Sequence, residues 1–229
     1  MLSFEHQYWD KGITRLAGVD EAGRGPLAGP VVASAVILNQ RFVESEQDQL
    51  LKGLTDSKQL TEVRRDHFYG ILINSKDASI GIGMADVKEI DELNILRATH
   101  LAMARALQNI EPVPEYALVD GLAVKGLPCP SHAIIKGDSK SLSIAAASII
   151  AKVTRDRIMK EMDKQYPRYG FAGHKGYGSR KHMQALFEYG PCSEHRMSFR
   201  PVMDAMSLKR NTGEDRGRII RQDEFRLDP

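Results

Sequence analysis

At 229 residues, with 42% hydrophobic content and a formal net charge of +2, the chain has the size of one soluble globular domain, or one domain with an appendage. No overall field demands a nucleic-acid partner, so local charge must carry any such argument. The two cysteines, Cys129 and Cys192, match no zinc spacing and read as reduced thiols, with a disulfide left open. The first residues hold Glu5, Asp10 and Lys11 and no apolar signal-like stretch, and no run is apolar enough to span a bilayer. A cytoplasmic monomer is expected.

In chain order, residues 14–20 read as a strand running into a glycine turn, and 31–38 as a second strand rich in β-branched residues. The stretch after Gln40 is charged and loop-like. Residues 60–73 have helical spacing, with Val63, Phe68, Ile71 and Leu72 on one apolar face. Residues 79–84 alternate isoleucine with glycine as a third strand. A helix follows over 94–110, where Ile95, Ala98, Leu101, Ala102, Ala106 and Leu107 recur at three- and four-residue steps. Short strands at 116–119 and 133–135 each run into a glycine and an aspartate. A long helix covers 141–165 and ends before Pro167, and another covers 179–189 before Gly190 and Pro191. This order favours an α/β fold, a mixed sheet covered by helices. The expected catalytic domain spans residues 1–205, with helices at its C-terminal end. Residues 206–229 are mostly charged and read as a weakly packed or disordered tail, in which 215–227 could form a short helix.

Asp20, Glu21, Asp120 and Asp138 share one local pattern, the C-terminal end of a predicted strand beside or near glycine. Those ends form the ligand crevice of an open α/β sheet. A cluster of carboxylates repels itself unless a cation relieves it, and Mg²⁺ or Mn²⁺ suits an all-oxygen set. Two such ions would clamp an in-line displacement at phosphorus. Each acid also has a simpler account: Asp138 as a helix N-cap, Asp120 with Gly121 as a turn, Asp20 and Glu21 as a solvated strand end. The set of four outweighs any member.

The turn after the first acids is Gly23-Arg24-Gly25-Pro26, with Gly29 and Pro30 beyond it. Glycine lets a ligand approach the main chain, but the spacing is neither a Rossmann fingerprint nor a P-loop. A tight connection between strands explains the glycines and leaves Arg24 unexplained. Farther on, residues 152–181 carry nine Lys or Arg against three acids. Within them lies Phe171-Ala-Gly-His-Lys-Gly-Tyr-Gly178, where His174, Lys175 and Tyr177 are candidate substrate contacts: bases neutralise phosphate and an exposed aromatic stacks on a sugar or base. The charges of the helix before it fit a solvated face. Lys58, in Asp56-Ser57-Lys58, is a further candidate for a phosphate, although a helix-entry turn explains that segment equally well. A non-cutting binding module and a small-substrate phosphatase are the rival classes; the full acid set argues against the first and the basic aromatic loop against the second.

Together these motifs resemble the type 2 ribonucleases H, the ribonuclease HII family. The resemblance rests on Gly-Val-Asp-Glu-Ala-Gly-Arg-Gly-Pro at 18–26, Asp-Ser-Lys-Gln-Leu at 56–60, Val-Asp-Gly at 119–121 and Lys-Gly-Asp at 136–138. It continues through Ala-Ala-Ala-Ser-Ile-Ile-Ala-Lys-Val-Thr-Arg-Asp at 145–156 and His-Lys-Gly-Tyr at 174–177, in the family's order. It implies a ribonuclease H-like fold, a five-stranded mixed sheet of order 3-2-1-4-5 flanked by helices. The implied activity is metal-dependent endonucleolytic cleavage of the RNA strand of RNA–DNA hybrids. It extends to cutting 5′ to single ribonucleotides in duplex DNA, leaving a 3′-hydroxyl and a 5′-phosphate. Asp20, Glu21, Asp120 and Asp138 match the family's catalytic carboxylates. Asp20 and Asp120 are first choices as direct ligands of two Mn²⁺ or Mg²⁺ ions, Glu21 is next, and Asp138 joins with substrate present. Gly23, Arg24 and Gly25 match the turn whose main chain contacts the 2′-hydroxyl, and Tyr177 the tyrosine stacking on the junction sugar.

Overall fold

The computed structural model describes residues 1–46 and 50–212, so the helix expected within 215–227 lies outside the described residues. The N-terminal half runs α1 (Ser3–Trp9), β1 (Leu16–Ala22), β2 (Val31–Leu38), α2 (Gln40–Glu46), α3 (Glu62–Asn74), β3 (Ala78–Ala85), α4 (Val87–Leu93) and α5 (Ile95–Gln108). The rest runs β4 (Tyr116–Asp120), β5 (Ser131–Ile134), α6 (Leu142–Gln165), α7 (Phe171–His174), α8 (Arg180–Tyr189) and α9 (Arg200–Thr212). The strands form one sheet of order β3-β2-β1-β4-β5. β1 pairs antiparallel with β2 and β2 with β3, whereas β1, β4 and β5 run parallel. The C-terminal ends of β1, β4 and β5 therefore meet on one edge.

Both faces of the sheet are covered, which is why β2 is an almost unbroken apolar run. Alternate residues divide between two cores. Val36 and Leu38 pack with Leu142, Ala145, Ala146 and Ile149 of α6. Ala17, Val19, Ala33 and Ala35 pack with Ala98, Ala102 and Ala106 of α5 on the other face. The strand glycines permit close approach. A Cβ at Gly18 would lie 2.1 Å from the carbonyl carbon of Ser143, and one at Gly83 would lie 2.1 Å from the Ala102 carbonyl oxygen. The start of α6 is also held from α1. Buried Glu5 accepts hydrogen bonds from Ser141 Oγ at 2.6 Å, Ser143 Oγ at 2.7 Å and Ser143 N–H at 3.0 Å, a carboxylate at the positive end of the helix.

Several elements differ from the sequence expectations. Residues after Gln40 form α2, because the Asn39 side chain accepts from the Arg41 and Phe42 N–H groups and Val43 is fully buried. α4 was not expected, yet Asp86 and Glu89 close a capping box around it and Val87 and Ile90 are buried. Val63 is 80% exposed and does not share the buried face of α3 with Phe68 and Leu72. The change of composition at Met206 falls inside α9, which continues to Thr212. No described helix is long and apolar enough to cross a membrane.

Gly18→Ala should destabilise the protein by about 1–3 kcal/mol or more through overpacking of β1 against α6. Urea unfolding of the two proteins checks this, and equal midpoints would refute the close-packing account.

Candidate metal centre and glycine turn

Strand parity decides which acids converge. Asp20 follows Leu16 and Gly18 on the α6 side of β1, and Asp120 follows Leu118 on the same side of β4. The pairing of Val19 with Val119 sets these two aspartates side by side at the sheet edge. Asp138 arrives from a 3-10 turn, Gly137–Ser139, just ahead of α6. The Gly137 N–H donates to Asp120 Oδ1 at 2.6 Å and fastens that turn to β4. Asp138 is not the cap of α6: Ser141 is, accepting from the Ile144 N–H at 3.2 Å. Carboxylate oxygens of Asp20, Asp120 and Asp138 lie within 4.8 Å of one another.

Glu21, one residue on, leaves β1 toward the opposite face and is not among the three converging acids. Its carboxylate meets Arg24 Nη1 at 3.4 Å. Burial raises the Glu21 pKa, and Arg24 opposes that rise. Asp20 is held well above the usual carboxylate range by burial first and then by Glu21, Asp120 and Asp138, while the Glu21 N–H works the other way. Burial likewise raises Asp138, with Asp120 and Asp56 adding to it. Lys58 feels the whole cluster: burial opposes its charge, but the fields of Asp20, Asp56, Asp138 and Asp120 carry its pKa upward. It reaches this position because Ser57 is tied to α6, its N–H and hydroxyl meeting Ser148 Oγ at 3.3 and 2.7 Å. Asp56, Lys58, Asp120, Lys136 and Asp138 line an open cavity of about 350 Å³.

The donor set fits a hard divalent cation. It is all oxygen, it is drawn together by the backbone, and its carboxylates strain against their own repulsion, which a cation removes. Asp20, Asp120 and Asp138 would hold such an ion.

The glycine turn lies beside this centre. Gly23 has φ +97°, and a Cβ there would also strike Arg155. Tyr177 is half exposed, and a Cβ at Gly25 would lie 3.5 Å from its ring. The Leu27 N–H donates to the Gly176 oxygen at 2.8 Å and joins turn and loop. His174 spends both ring nitrogens on the loop itself, Nε2 on the Tyr169 carbonyl at 2.8 Å and Nδ1 accepting from the Gly176 N–H at 3.2 Å. The Lys175 ammonium donates to the Ala172 carbonyl.

Beneath the loop His174 stacks on His182, and His182 Nε2 meets His195 Nε2 at 3.1 Å. The main-chain partners settle the protons. His182 Nδ1 donates to the Tyr177 carbonyl at 2.9 Å, and His195 Nδ1 accepts from the Cys192 N–H at 3.0 Å, so His195 Nε2 donates to His182 Nε2. Burial pushes both imidazoles down to about 4, which keeps them neutral.

Sequence reasoning missed two residues that shape the turn. Arg155 is 1% exposed and Arg196 is fully buried. Arg155 departs from the solvated face expected for the charges of this helix: it stands four residues from Ala151 and four from Met159, both buried. That spacing was the available signal. Arg196 lies in a loop, where periodicity offers none.

The chain matches the Ribonuclease HII family over residues 17–202. A ribonuclease HII of Acetivibrio thermocellus is 53% identical over 199 residues, 87% of this chain and 75% of that protein. One of Bacillus anthracis is 50% identical over 204 residues, 89% of this chain and 76% of that protein. Among solved structures, the ribonuclease H2 of Pyrococcus horikoshii OT3 superposes with a TM-score of 0.70 at 29% identity, covering 85% of this chain and 98% of that one.

Adding Mn²⁺ or Mg²⁺ to metal-free protein should raise its melting temperature, equivalent to about 2.7 kcal/mol at a hundredfold excess over Kd. Asp20→Asn should melt higher than wild type without metal, because repulsion is relieved, and should lose the metal-dependent rise. A rise of full size in the variant would remove Asp20 from the ligand set; differential scanning calorimetry reads both outcomes.

Proposed function

The chain belongs to the ribonuclease HII family and is a ribonuclease H enzyme, and from that premise we propose that it is a divalent-metal-dependent endonuclease for ribonucleotides paired with DNA. It cuts the RNA strand of RNA–DNA hybrids. It also cuts 5′ to single ribonucleotides in duplex DNA, leaving a 3′-hydroxyl and a 5′-phosphate, and so serves ribonucleotide and RNA-primer removal. The observation that carries the reading is the convergence of Asp20, Asp120 and Asp138, with the glycine turn following directly on β1 and the half-exposed Tyr177 ring against Gly25.

Asp20, Asp120 and Asp138 would hold the divalent cations, which when bound would supply Lewis acidity for phosphodiester hydrolysis. The chain's own residues place the substrate. Main-chain groups of Gly23, Arg24 and Gly25 contact the 2′-hydroxyl, the group that tells RNA from DNA. The half-exposed Tyr177 ring stacks on the sugar beside them. Lys58, at the rim of the acid cluster, faces the phosphate that the acids must not repel. His174 and Lys175 serve binding by setting the shape of the Tyr177 loop. Glu21 holds Arg24 and adds negative charge at the edge of the metal site.

The test uses duplex DNA holding one ribonucleotide, incubated with Mn²⁺, Mg²⁺ or EDTA, with the cut mapped at nucleotide resolution. A single cut 5′ to the ribonucleotide that EDTA abolishes is expected, and metal-independent or scattered cleavage would refute the reading. Asp20→Asn should lower the rate by at least about 100-fold while retaining hybrid binding.

Loss of stacking in Tyr177→Ala, worth about 1–3 kcal/mol, should fall hardest on the single-ribonucleotide duplex. Comparing kcat/KM on that duplex and on a long hybrid checks this; equal losses would assign Tyr177 to general positioning.

A further inference from the structure

The two buried arginines hold no acid. Neither has a carboxylate at ion-pair distance among the described residues; the hydrogen bonds of both guanidiniums go to main-chain carbonyls, and Arg196 also lies over the Phe199 ring at 5.1 Å. Arg196 donates to Gly29 O through Nε at 3.0 Å and Nη2 at 2.9 Å, to Arg24 O through Nη1 at 2.9 Å and to Gly23 O through Nη2 at 2.5 Å. Arg155 donates to Pro30 O at 3.0 Å, Ala28 O at 3.1 Å and Lys175 O at 3.0 Å. The guanidiniums also lie near enough to repel, and burial with that repulsion pushes Arg196 down to about 9. Two desolvated like charges are a poor way to stabilise a loop, since an apolar side chain fills such space at lower cost. What an apolar side chain lacks is a planar fork of donors.

The fork has a geometric consequence. A trans peptide points its N–H opposite to its C=O. With Gly23 O and Arg24 O drawn onto Arg196, the N–H groups of Arg24 and Gly25 are turned to the other side of the turn. Neither N–H finds an acceptor among the described residues. They are the donors left open at the place where Gly25 faces the Tyr177 ring. Arg155 ties the same turn to the Tyr177 loop through Lys175 O, so the width of the gap depends on it.

We propose that Arg196 and Arg155 are specificity-setting positioning residues, which aim the Arg24 and Gly25 N–H groups and fix their spacing from Tyr177 so that one ribose 2′-hydroxyl is read. The proposal rests on the reading that this turn contacts the 2′-hydroxyl. A long hybrid offers a 2′-hydroxyl in every register, so a loosened turn still finds a productive one. A lone ribonucleotide offers a single register.

The experiment measures kcat/KM of wild type, Arg196→Lys and Arg155→Lys, in Mn²⁺, on a single-ribonucleotide duplex and on a long RNA–DNA hybrid, with melting temperatures alongside. Lysine keeps the charge and loses the fork. Because a misplacement of about 1 Å costs up to roughly 100-fold, each variant should lose at least about tenfold on the single ribonucleotide and under about threefold on the long hybrid. Equal losses on both substrates, or a lowered melting temperature with an unchanged ratio, would overturn the proposal and leave the arginines structural. Arg155→Lys carries the test where Arg196→Lys does not fold. A wild-type arm separates the premise: a duplex with 2′-fluoro in place of the 2′-hydroxyl should be cut far more slowly. Equal cutting of that duplex would sink the 2′-hydroxyl reading itself, whatever the arginine variants do.

Discussion

The first turn of α6 lies on β1 with no space for a side chain at Gly18, and much of the site depends on that contact. Glu5 neutralises the helix start from below, and Ser141 caps it. With the helix seated there, the 3-10 turn ahead of it has one place to go, against the end of β4. The Gly137 N–H then finds Asp120, and Asp138 enters the space beside Asp20. The same helix holds Ser57 through Ser148, which places Lys58 at the rim, and it sends Arg155 beneath the glycine turn. One packed helix thus supports the acids, Lys58 beside them and the glycine turn.

Around that helix the protein accepts two electrostatic costs. Three carboxylates stand together with raised proton affinities at Asp20 and Asp138, and two guanidiniums stand together without an acid. In both clusters the backbone enforces the approach, through strand register in the first and through a ring of carbonyls in the second. Repulsion of the acids is what a divalent cation held between them would relieve. The arginine cluster is useful because carbonyl groups held by donors leave the opposite N–H groups directed outward. The neutral histidine pair under Tyr177 completes the frame without adding charge.

Much of this was legible in residue order. Strand ends at Asp20 and Asp120 announced themselves by an apolar run followed by acid and glycine, and α5 and α6 by their spacing. The Asp86 and Glu89 capping box is equally readable, but the seven-residue α4 that follows it is too short to show a helical period. Val63 sat at a helical apolar spacing yet faces solvent, because the side that packs is chosen by the neighbour and not by the helix.

By itself the sequence determined a mixed sheet covered by helices, the four candidate acids, a glycine turn and a basic aromatic loop, because these are carried by local chemistry at fixed spacing; the sheet order came through the family resemblance of the motif set. Tertiary structure alone decided that Asp20, Asp120 and Asp138 converge while Glu21 turns toward Arg24, since side-chain parity becomes a location only when register and helix seating are set. It also decided the place of Arg196. A loop residue that closes bonds to Gly23, Arg24 and Gly29, more than 160 positions earlier, leaves no periodic trace, and only folding brings donor and carbonyls together.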